Sequence, residues 1–447
     1  MSTIDTSSLS SGTGLDVTAT VDQLMQTARA PERVWQSQQQ TLSAQATALR
    51  SLSTKLDTLE TRINDLKDVS GAFSQFSATS SNEAVFTASA QSGAVSGDHI
   101  IAVTQLATVA SQYSDPLDNP DSSFSPGTLQ FQIGGGDVQT VTFDASHSTL
   151  KIAVDTINSA KLGVTASLVS DASGTRLVLV SNTSGSAGDL TIVSSPASLA
   201  LHTGTAGQNA KLTVDGVPIE SATNDVSGAI PGMMLHLNGD TTGLPARLSI
   251  SRDTDRVTSA INSFVSAYND IVGSINSQFQ YNQATKSSGV LAGDSTVRDL
   301  QARLLAFTSF KSSNSGSIAT LRSIGIEMQN DGTLQVNSST LSAAVANSSS
   351  DVQGFFQGTN RDGFASSLST QLASITDSID GPLLVDAKGK DDSVSALQNQ
   401  IDNFEVQMSS KYQQLLDEYT RIDTLLRQMP LLENNITAQL KSLSTSS

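Results

Sequence analysis

The side chains that could carry out acid–base, nucleophilic or metal chemistry are few and far apart in this sequence. The chain has no cysteine and only four histidines, His99, His147, His202 and His236. No two of them have the H-E-x-x-H spacing that presents a pair of imidazoles to one zinc ion. Asp144 lies three residues before His147. Residues three apart face opposite sides of a strand, so this pair predicts a turn rather than a site.

The remaining polar motifs also favour loops over sites. Asp115, Asp118 and Asp121 could bring three carboxylates to a calcium ion, but their spacing and two intervening prolines do not match an EF-hand loop. The triple glycine at 134–136 lies between two apolar runs and predicts a hairpin turn, since glycine accepts positive φ. We interpret residues 386–392 as a linker or turn. With no nucleophile elbow or phosphate loop, the sequence predicts a protein that is not an enzyme and needs no metal or cofactor.

The composition excludes several classes of partner. The net charge is −17, only 15% of residues are charged, and no run of lysine or arginine occurs. Nucleic acid and anionic membranes are therefore poor partners, because binding them requires clustered cations. No apolar stretch reaches the length of about 18 residues that a membrane-spanning helix needs. The first residues lack the basic and apolar segments of a secretory signal, so export would use a route that cleaves no such signal.

The elements that must position any functional residues are clearest at the two ends of the chain. Residues 1–14 are polar and predicted to be disordered. A helical pattern covers 15–69, and Pro31 either breaks that helix or lies at the start of a second one. Beyond Pro31, apolar residues recur at the seven-residue spacing of a coiled-coil seam, although Gln38 and Gln45 weaken its first half. The predicted seam positions are Leu42, Leu49, Leu52, Leu56, Leu59, Ile63 and Leu66.

The C-terminal end repeats this pattern more strictly. The sequence predicts a helix that starts near 391–395 and that Pro430 kinks or ends, followed by a short polar helix and a serine-rich tail. Lys411 and Glu418 break the companion series, and Tyr412 and Tyr419 take over one residue later, as expected for a straight helix. The predicted seam positions here are Val394, Leu397, Ile401, Phe404, Met408, Leu415, Ile422 and Met429.

The middle of the chain differs from both ends. Residues 76–254 contain short alternating runs separated by glycine, serine, asparagine and proline, which predict antiparallel strands. Residues 255–390 become helical again, with an apolar stripe over 257–272. The predicted fold class is α+β multidomain, with long terminal helices forming a coiled-coil leg, a helical-bundle domain, and two inserted, mainly antiparallel β domains. Alternatively, the terminal helices never meet and each dimerises separately.

The predicted domain boundaries follow from these changes in pattern. They are a disordered N-terminus at 1–14, a terminal coiled-coil leg of 15–45 and 405–447, a helical domain of 46–75 and 255–404, an inner β domain of 76–110 and 206–254, and an outer variable β domain at 111–205.

Three stretches of the sequence resemble one known family. Residues 12–52 have a Gly-Leu-Asp start, a Val-x-x-Leu-Met helix, an Ala-Pro break and a glutamine-rich helix. Residues 211–241, followed by 250–270, resemble a second β segment and its return into a helical domain. Residues 321–356 carry the run Leu-x-x-Ile-Gly-Ile followed by Asp-Gly-Thr-Leu. In this order the stretches resemble the bacterial flagellar filament cap family, also called hook-associated protein 2; in 111–205 we find nothing that carries function over.

The resemblance implies a function, partners and a location. It implies export through the channel of the flagellum's type III system to the distal, extracellular tip of the filament. There a homo-oligomeric ring of about four to six copies would retain exported flagellin and promote its folding and polymerisation. Flagellin, the hook-associated junction proteins and an export chaperone on the C-terminal helices are the implied partners.

Two alternatives remain at this point. Flagellin and the hook–filament junction proteins also place helical ends around a variable centre, although the Gly-Leu-Asp start and the Asp-Gly-Thr-Leu run favour the cap. An adhesin that binds host mucin or glycan through the outer β domain is an alternative from a different class. Nothing in 111–205 marks a carbohydrate site.

Overall fold

The computed structural model describes residues 16–241, 243–284, 286–312 and 316–444. The chain divides into two compact units. Residues 68–257 form the second unit, and the described residues on either side of them form the first. The segment at 1–14, which the sequence predicts to be disordered, lies outside the described residues.

Two helices begin the first unit, α1 (Val17–Ala28) and α2 (Ala30–Lys67). The carboxylate of Asp16 caps α1 by accepting a 3.0 Å hydrogen bond from the Ala19 backbone N–H. Arg29 separates the two helices, and Pro31 lies in the first turn of α2, where its missing N–H leaves no carbonyl unpaired. The predicted helix is thus confirmed in its two-helix form.

The second unit is built from antiparallel strands and one helix. The elements are β1 (Phe76–Ser80), β2 (Phe86–Ala90), β3 (Gly97–Gln105), β4 (Val109–Ser114), β5 (Gly127–Ile133), β6 (Gln139–Phe143), α3 (Leu150–Ala160), β7 (Val164–Asp171), β8 (Gly174–Ser184), β9 (Leu190–Ser194), β10 (Leu201–Thr205), β11 (Ala210–Val214), β12 (Val217–Ser221), β13 (Asp225–Ser227), β14 (Met233–Leu237) and β15 (Ala246–Arg252).

Two separate apolar cores hold this unit together. The sheets β1-β15-β3-β11-β12 and β13-β14-β2 share one core, around Phe86 and Leu248. The sheets β10-β4-β8-β7 and β6-β5-β9 share the other with α3, around Phe131 and Leu179. As predicted, a turn at 134–136 joins β5 to β6, with Gly134 and Gly135 at positive φ.

The helix α3 was not expected, because the sequence pattern predicts only strands in this region. Thr149 caps it by accepting a hydrogen bond from the Ile152 backbone N–H. Its buried residues, Leu150, Ala153 and Ile157, have the i, i+3, i+7 spacing of a helix face. The helical period was present in the sequence but short enough to be hidden by the strands around it.

The chain then continues with helices, as predicted, and one small hairpin. These elements are α4 (Thr254–Phe279), α5 (Ser295–Phe307), β16 (Ile326–Met328), β17 (Leu334–Val336), α6 (Ser338–Asn347), α7 (Ser349–Gln357), α8 (Phe364–Thr376) and α9 (Pro382–Ser444). The predicted stripe of α4 is confirmed, since Ile261, Phe264, Tyr268 and Ile271 are all buried. The hairpin contains the Asp-Gly-Thr-Leu run, with Gly332 at φ +82°.

The last helix is longer than the sequence prediction at both ends. It begins at Pro382 rather than near 391–395, so the interpretation of 386–392 as a linker or turn is wrong. Proline is favoured in the first helical turn, and the buried pair Leu383 and Ala387 anchors this start in the first unit. The helix also continues through Pro430 to residue 444, so of the two predicted effects of Pro430, a kink or an end, the end is wrong. Its 63 residues span about 95 Å at 1.5 Å per residue.

Candidate interaction surface

The helices α2 and α9 pack against each other in antiparallel orientation. The Trp35 and Phe404 rings meet edge to face with centroids 5.2 Å apart. Further along α2, the Gln39 amide donates a 2.8 Å hydrogen bond to Gln398, and Arg50 forms an ion pair with Asp391. Partner numbers on α9 fall as those on α2 rise, which fixes the antiparallel orientation. The two terminal helices therefore meet, and the alternative in which they never do is wrong.

The predicted seam residues of α2 are nearly all buried, but α9 is not their only neighbour. Leu42 is half-buried, whereas the six later positions are buried: Leu49, Leu52, Leu56, Leu59, Ile63 and Leu66. In the second half of α2, Asn64 accepts a 2.9 Å hydrogen bond from Ser369 of α8, and Glu60 accepts one from Thr376. This part of the pattern therefore also serves the helical bundle. That these residues form an assembly seam stays a prediction.

The predicted seam residues of α9 are buried or half-buried up to Leu415 and exposed beyond it. Ile401 and Met408 are buried, and Val394, Leu397, Phe404 and Leu415 are half-buried. Ile422 is 38% exposed and Met429 is 65% exposed. The strict heptad of the sequence thus covers two environments, a packed half and an open half.

The short helix α1 covers the middle of α9. Val21 and Met25, one turn apart on α1, are buried against Met408 of α9. Four further α9 residues pack against this cluster, namely Phe404, Tyr412, Leu415 and Tyr419. Val21 and Met25 belong to the Val-x-x-Leu-Met motif of the family resemblance, but their packing on α9 was not predicted, although their i, i+4 spacing was the available signal.

An ion-pair cluster lies where α1 joins α2. The Arg29 guanidinium binds both carboxylate oxygens of Glu405 on α9, with Nη2 2.9 Å from Oε2. It also lies 3.0 Å from Glu32 of α2, which in turn accepts a 2.8 Å hydrogen bond from Gln36. The hydrogen bond from Arg29 lowers the pKa of Glu405, and the same contact raises the pKa of Arg29. This cluster connects all three helices at one point.

Beyond Tyr419, α9 carries an apolar face that no other described residue covers. We call it the distal stripe. Its members share spacings of three and four residues and are Ile422, Leu425, Met429, Leu432, Ile436 and Leu440, all between 38% and 65% exposed. A continuous apolar stripe of this kind on a helix is the usual contact face for another helix. Four of these residues, Leu425, Leu432, Ile436 and Leu440, are not among the predicted seam positions, although Leu425 and Leu432 continue the heptad; the last three follow Pro430, in the segment predicted to be a short polar helix.

Each of the four histidines is paired with a different aspartate at the surface of the second unit. For example, His99 Nδ1 is 2.7 Å from Asp215. Hydrogen bonds from the Ser146 hydroxyl, the larger effect, and from His147 lower the pKa of Asp144 to about 2. These three residues lie in the turn that the sequence predicts. No group of three potential metal ligands occurs among the described residues. In the same part of the chain, no helix is both long and apolar enough to cross a membrane.

Comparison with known proteins identifies the family. A family model described as the flagellar hook-associated protein 2 C-terminus matches residues 207–430, and the N-terminus model of the same protein matches 13–110. Hook-associated protein 2 of Escherichia coli K12 is 30% identical over 98% of this chain and 99% of its own length. The chain belongs to the flagellar hook-associated protein 2 family. This confirms the resemblance found in the sequence.

Other members of the hook-associated protein 2 family agree with this assignment. The B-type protein of Pseudomonas aeruginosa PAO1 is 28% identical over 91% of this chain and 90% of its own length. The crystal structure of the D1-D2-D3 domains of the flagellar cap protein FliD from Escherichia coli superposes with a TM-score of 0.58 at 31% identity. It covers 77% of this chain and 99% of the solved chain. The predicted α+β multidomain fold class is confirmed.

One further match lies within 111–205, where the sequence shows no residues that carry function over from the resemblance. A model described as the flagellin hook IN motif matches residues 128–183, inside the segment predicted to be an outer variable domain. Of the structural elements, this range contains β6, α3 and β7 in full. The exact domain boundaries given above stay a prediction.

Proposed function

We propose that this chain caps the distal end of a bacterial flagellar filament, where it retains exported flagellin and promotes its folding and insertion. The observation that carries the proposal is similarity over nearly the whole length to hook-associated protein 2, together with the fold shared with the cap protein FliD. The family is a structural one, so function lies in contacts between chains. Self-association and flagellin at the filament tip are the partners that fit such a family.

The finer features of the proposal concern copy number, route and chaperone. A closed ring of about four to six copies would stop at a defined size, as a cap must, whereas an open contact would extend into a fibre. The chain would leave the cell through the flagellar type III channel and meet the junction proteins at the start of filament growth. Before export, a chaperone would cover the distal stripe, whose six apolar residues are otherwise open to water.

A deletion strain tests the proposal directly. Without the gene, we expect cells that secrete flagellin monomer into the medium, lack long filaments and do not swim, because nothing retains subunits at the tip. Expression of the wild-type chain should restore filaments, and expression of an unrelated secreted protein should not. Normal filament length in the deletion strain would contradict a capping role. If the deletion strain instead lost the hook–filament junction while the amount of flagellin was unchanged, the chain would be another axial protein rather than a cap.

The assembly state needs its own measurement. Multi-angle light scattering of the purified full-length chain should give a mass that stays at one small multiple of the 46.5 kDa protomer as concentration rises. A mass that grows without limit would indicate a polymerising subunit such as flagellin. An adhesin role for 111–205 stays a prediction, and saturable binding of the full chain to mucin would support it.

A further inference from the structure

The apolar face of α9 is continuous, but only part of it is covered by α1. The residues that α1 contacts, from Phe404 to Tyr419, lead without a break into the distal stripe, which begins at Ile422. Together they extend over about 54 Å of helix at 1.5 Å per residue. The two halves differ in what covers them: α1 packs on the first half, where Trp35 of α2 also contacts Phe404, and no described helix packs on the second.

The attachment of α1 is weak compared with that of α2. The helix has 12 residues, a length at which an isolated helix is marginal in water. Only Val21 and Met25 are buried, whereas α2 has nine buried residues. Segments with so few buried side chains open locally at a small fraction of the global unfolding free energy.

The junction at Arg29 gives α1 a place to turn. Arg29 interrupts the two helices with φ −81° and ψ 5°, outside regular helix geometry. Its ion pair with Glu405 is the polar contact that fixes this point to α9, and the two side chains are 38% and 41% exposed. Exposed ion pairs add little stability and weaken with salt. The junction is therefore held, but not strongly.

We propose that α1 is a displaceable strap on α9. With α1 in place, the face from Phe404 to Tyr419 is covered. When α1 is released by rotation about Arg29, that face and the distal stripe form one exposed apolar binding surface. The occupant it fits is an amphipathic helix with apolar residues at i and i+4, because Val21 and Met25 of α1 already occupy it in that way. That a partner protein supplies such a helix rests on the proposed function; the release of α1 does not.

Release can be measured on the full-length chain, which has no cysteine of its own. The thiol of Met408→Cys lies under α1 and reports its release, whereas the thiol of Ile63→Cys reports opening of the core around α2. The first should react with Ellman's reagent at least tenfold faster than the second. In the Met408→Cys background, Arg29→Gln should raise the rate severalfold, and 1 M NaCl should do the same. Arg33→Gln, an exposed arginine one turn further on, is the matched control and should leave the rate unchanged.

Hydrogen exchange on the unaltered chain separates strap release from fraying of α9 and needs no variant to fold. Amides of α1 should exchange at least tenfold faster than those at 404–415 of α9. Equal protection of α1 and of 404–415, or equal labelling of Met408→Cys and Ile63→Cys, would overturn the strap. Either result would leave the capping proposal untouched, since capping is scored by filament growth.

Discussion

At the scale of single residues, Ile401 and Ile422 have the same heptad position but different environments. Ile401 is 6% exposed and Ile422 is 38% exposed. We expect Ile401→Asp to lower the free energy of unfolding by several kcal/mol, about 3 to 5, because it places an unpaired charge in a packed interface. Ile422→Asp should change it by less than about 1 kcal/mol. Urea denaturation of both variants measures the difference.

The same two variants separate folding from function. If the distal stripe binds partners, Ile422→Asp should fold normally yet reduce motility and release flagellin, whereas Ile401→Asp should reduce both folding and motility. Normal swimming by the Ile422→Asp strain would count against a partner site on the distal stripe. Equal loss of stability in both variants would show that the stripe is covered within the chain.

The carboxyl of Asp386 gives the first unit a specific pH dependence. Burial, and then the neighbouring Asp294 carboxyl, raise the pKa of Asp386. Asp294 itself is fixed because it caps α5, accepting a 2.9 Å hydrogen bond from the Thr296 backbone N–H. Since the folded-state pKa lies above the unfolded value, this group favours folding at low pH, and the benefit is lost as pH rises through the folded pKa.

Removing that charge should therefore stabilise the protein at neutral pH. Burial and Asp294 outweigh the 3.5 Å ion pair between Asp386 and Lys390, so we expect Asp386→Asn to raise the free energy of unfolding at pH 7 and to have little effect near pH 3. Thermal melts at both pH values measure this, with Asp392→Asn on the exposed side of the same helix as the control. A gain at pH 3 equal to that at pH 7 would contradict the charge argument.

At the scale of elements, two side chains of α4 bond the hairpin β16–β17: Asn276 donates a 2.7 Å hydrogen bond to the Asp331 carbonyl in its turn, and Asn269 binds the strand β17. The Asn269 amide donates a 2.7 Å hydrogen bond to the Leu334 carbonyl and accepts one of 2.7 Å from its N–H, as a neighbouring strand would. We expect Asn269→Ala to lower the free energy of unfolding by about 1 to 3 kcal/mol, because it leaves two backbone groups without partners. Chemical denaturation measures this loss, and Gln280→Ala, at an exposed residue directly after α4, is the control. No loss would mean that water replaces the amide.

What the sequence could predict of these elements depended on the length of each pattern. The stripe of α4 and the heptads of α2 repeat often enough to outweigh local exceptions. The helix α3 and the hairpin β16–β17 are short, and their period is lost among neighbours of the other type. Pro430 was interpreted by a local rule for helix interiors, but the apolar repeat on either side of it continues, and the helix follows the repeat.

The candidate surface was predictable only in part, for a related reason. A heptad shows which residues share a face, but not which helix covers that face or where the cover stops. Ile401 and Met429 are equivalent in sequence, and only the position of α1 and α2 makes one buried and the other open. The contact between Arg29 and Glu405 joins residues 376 apart in sequence, a separation at which charge pattern alone carries no information.

At the scale of the whole molecule, the first unit packs around buried helical residues and the second around the two cores described above. Leu59 of α2 and Leu248 of β15 are both fully buried, the first among the helices and the second between sheets. We expect calorimetry to resolve at least two unfolding transitions, one for the helical unit and one or more for the two cores of the second unit, because separate cores make separate cooperative units. Leu59→Ala should lower the free energy of unfolding of the helical unit, and Leu248→Ala that of the sheet core around it. Each loss should be about 2 to 5 kcal/mol, because each variant creates a cavity. A single transition that both variants shift equally would show that the two units unfold together.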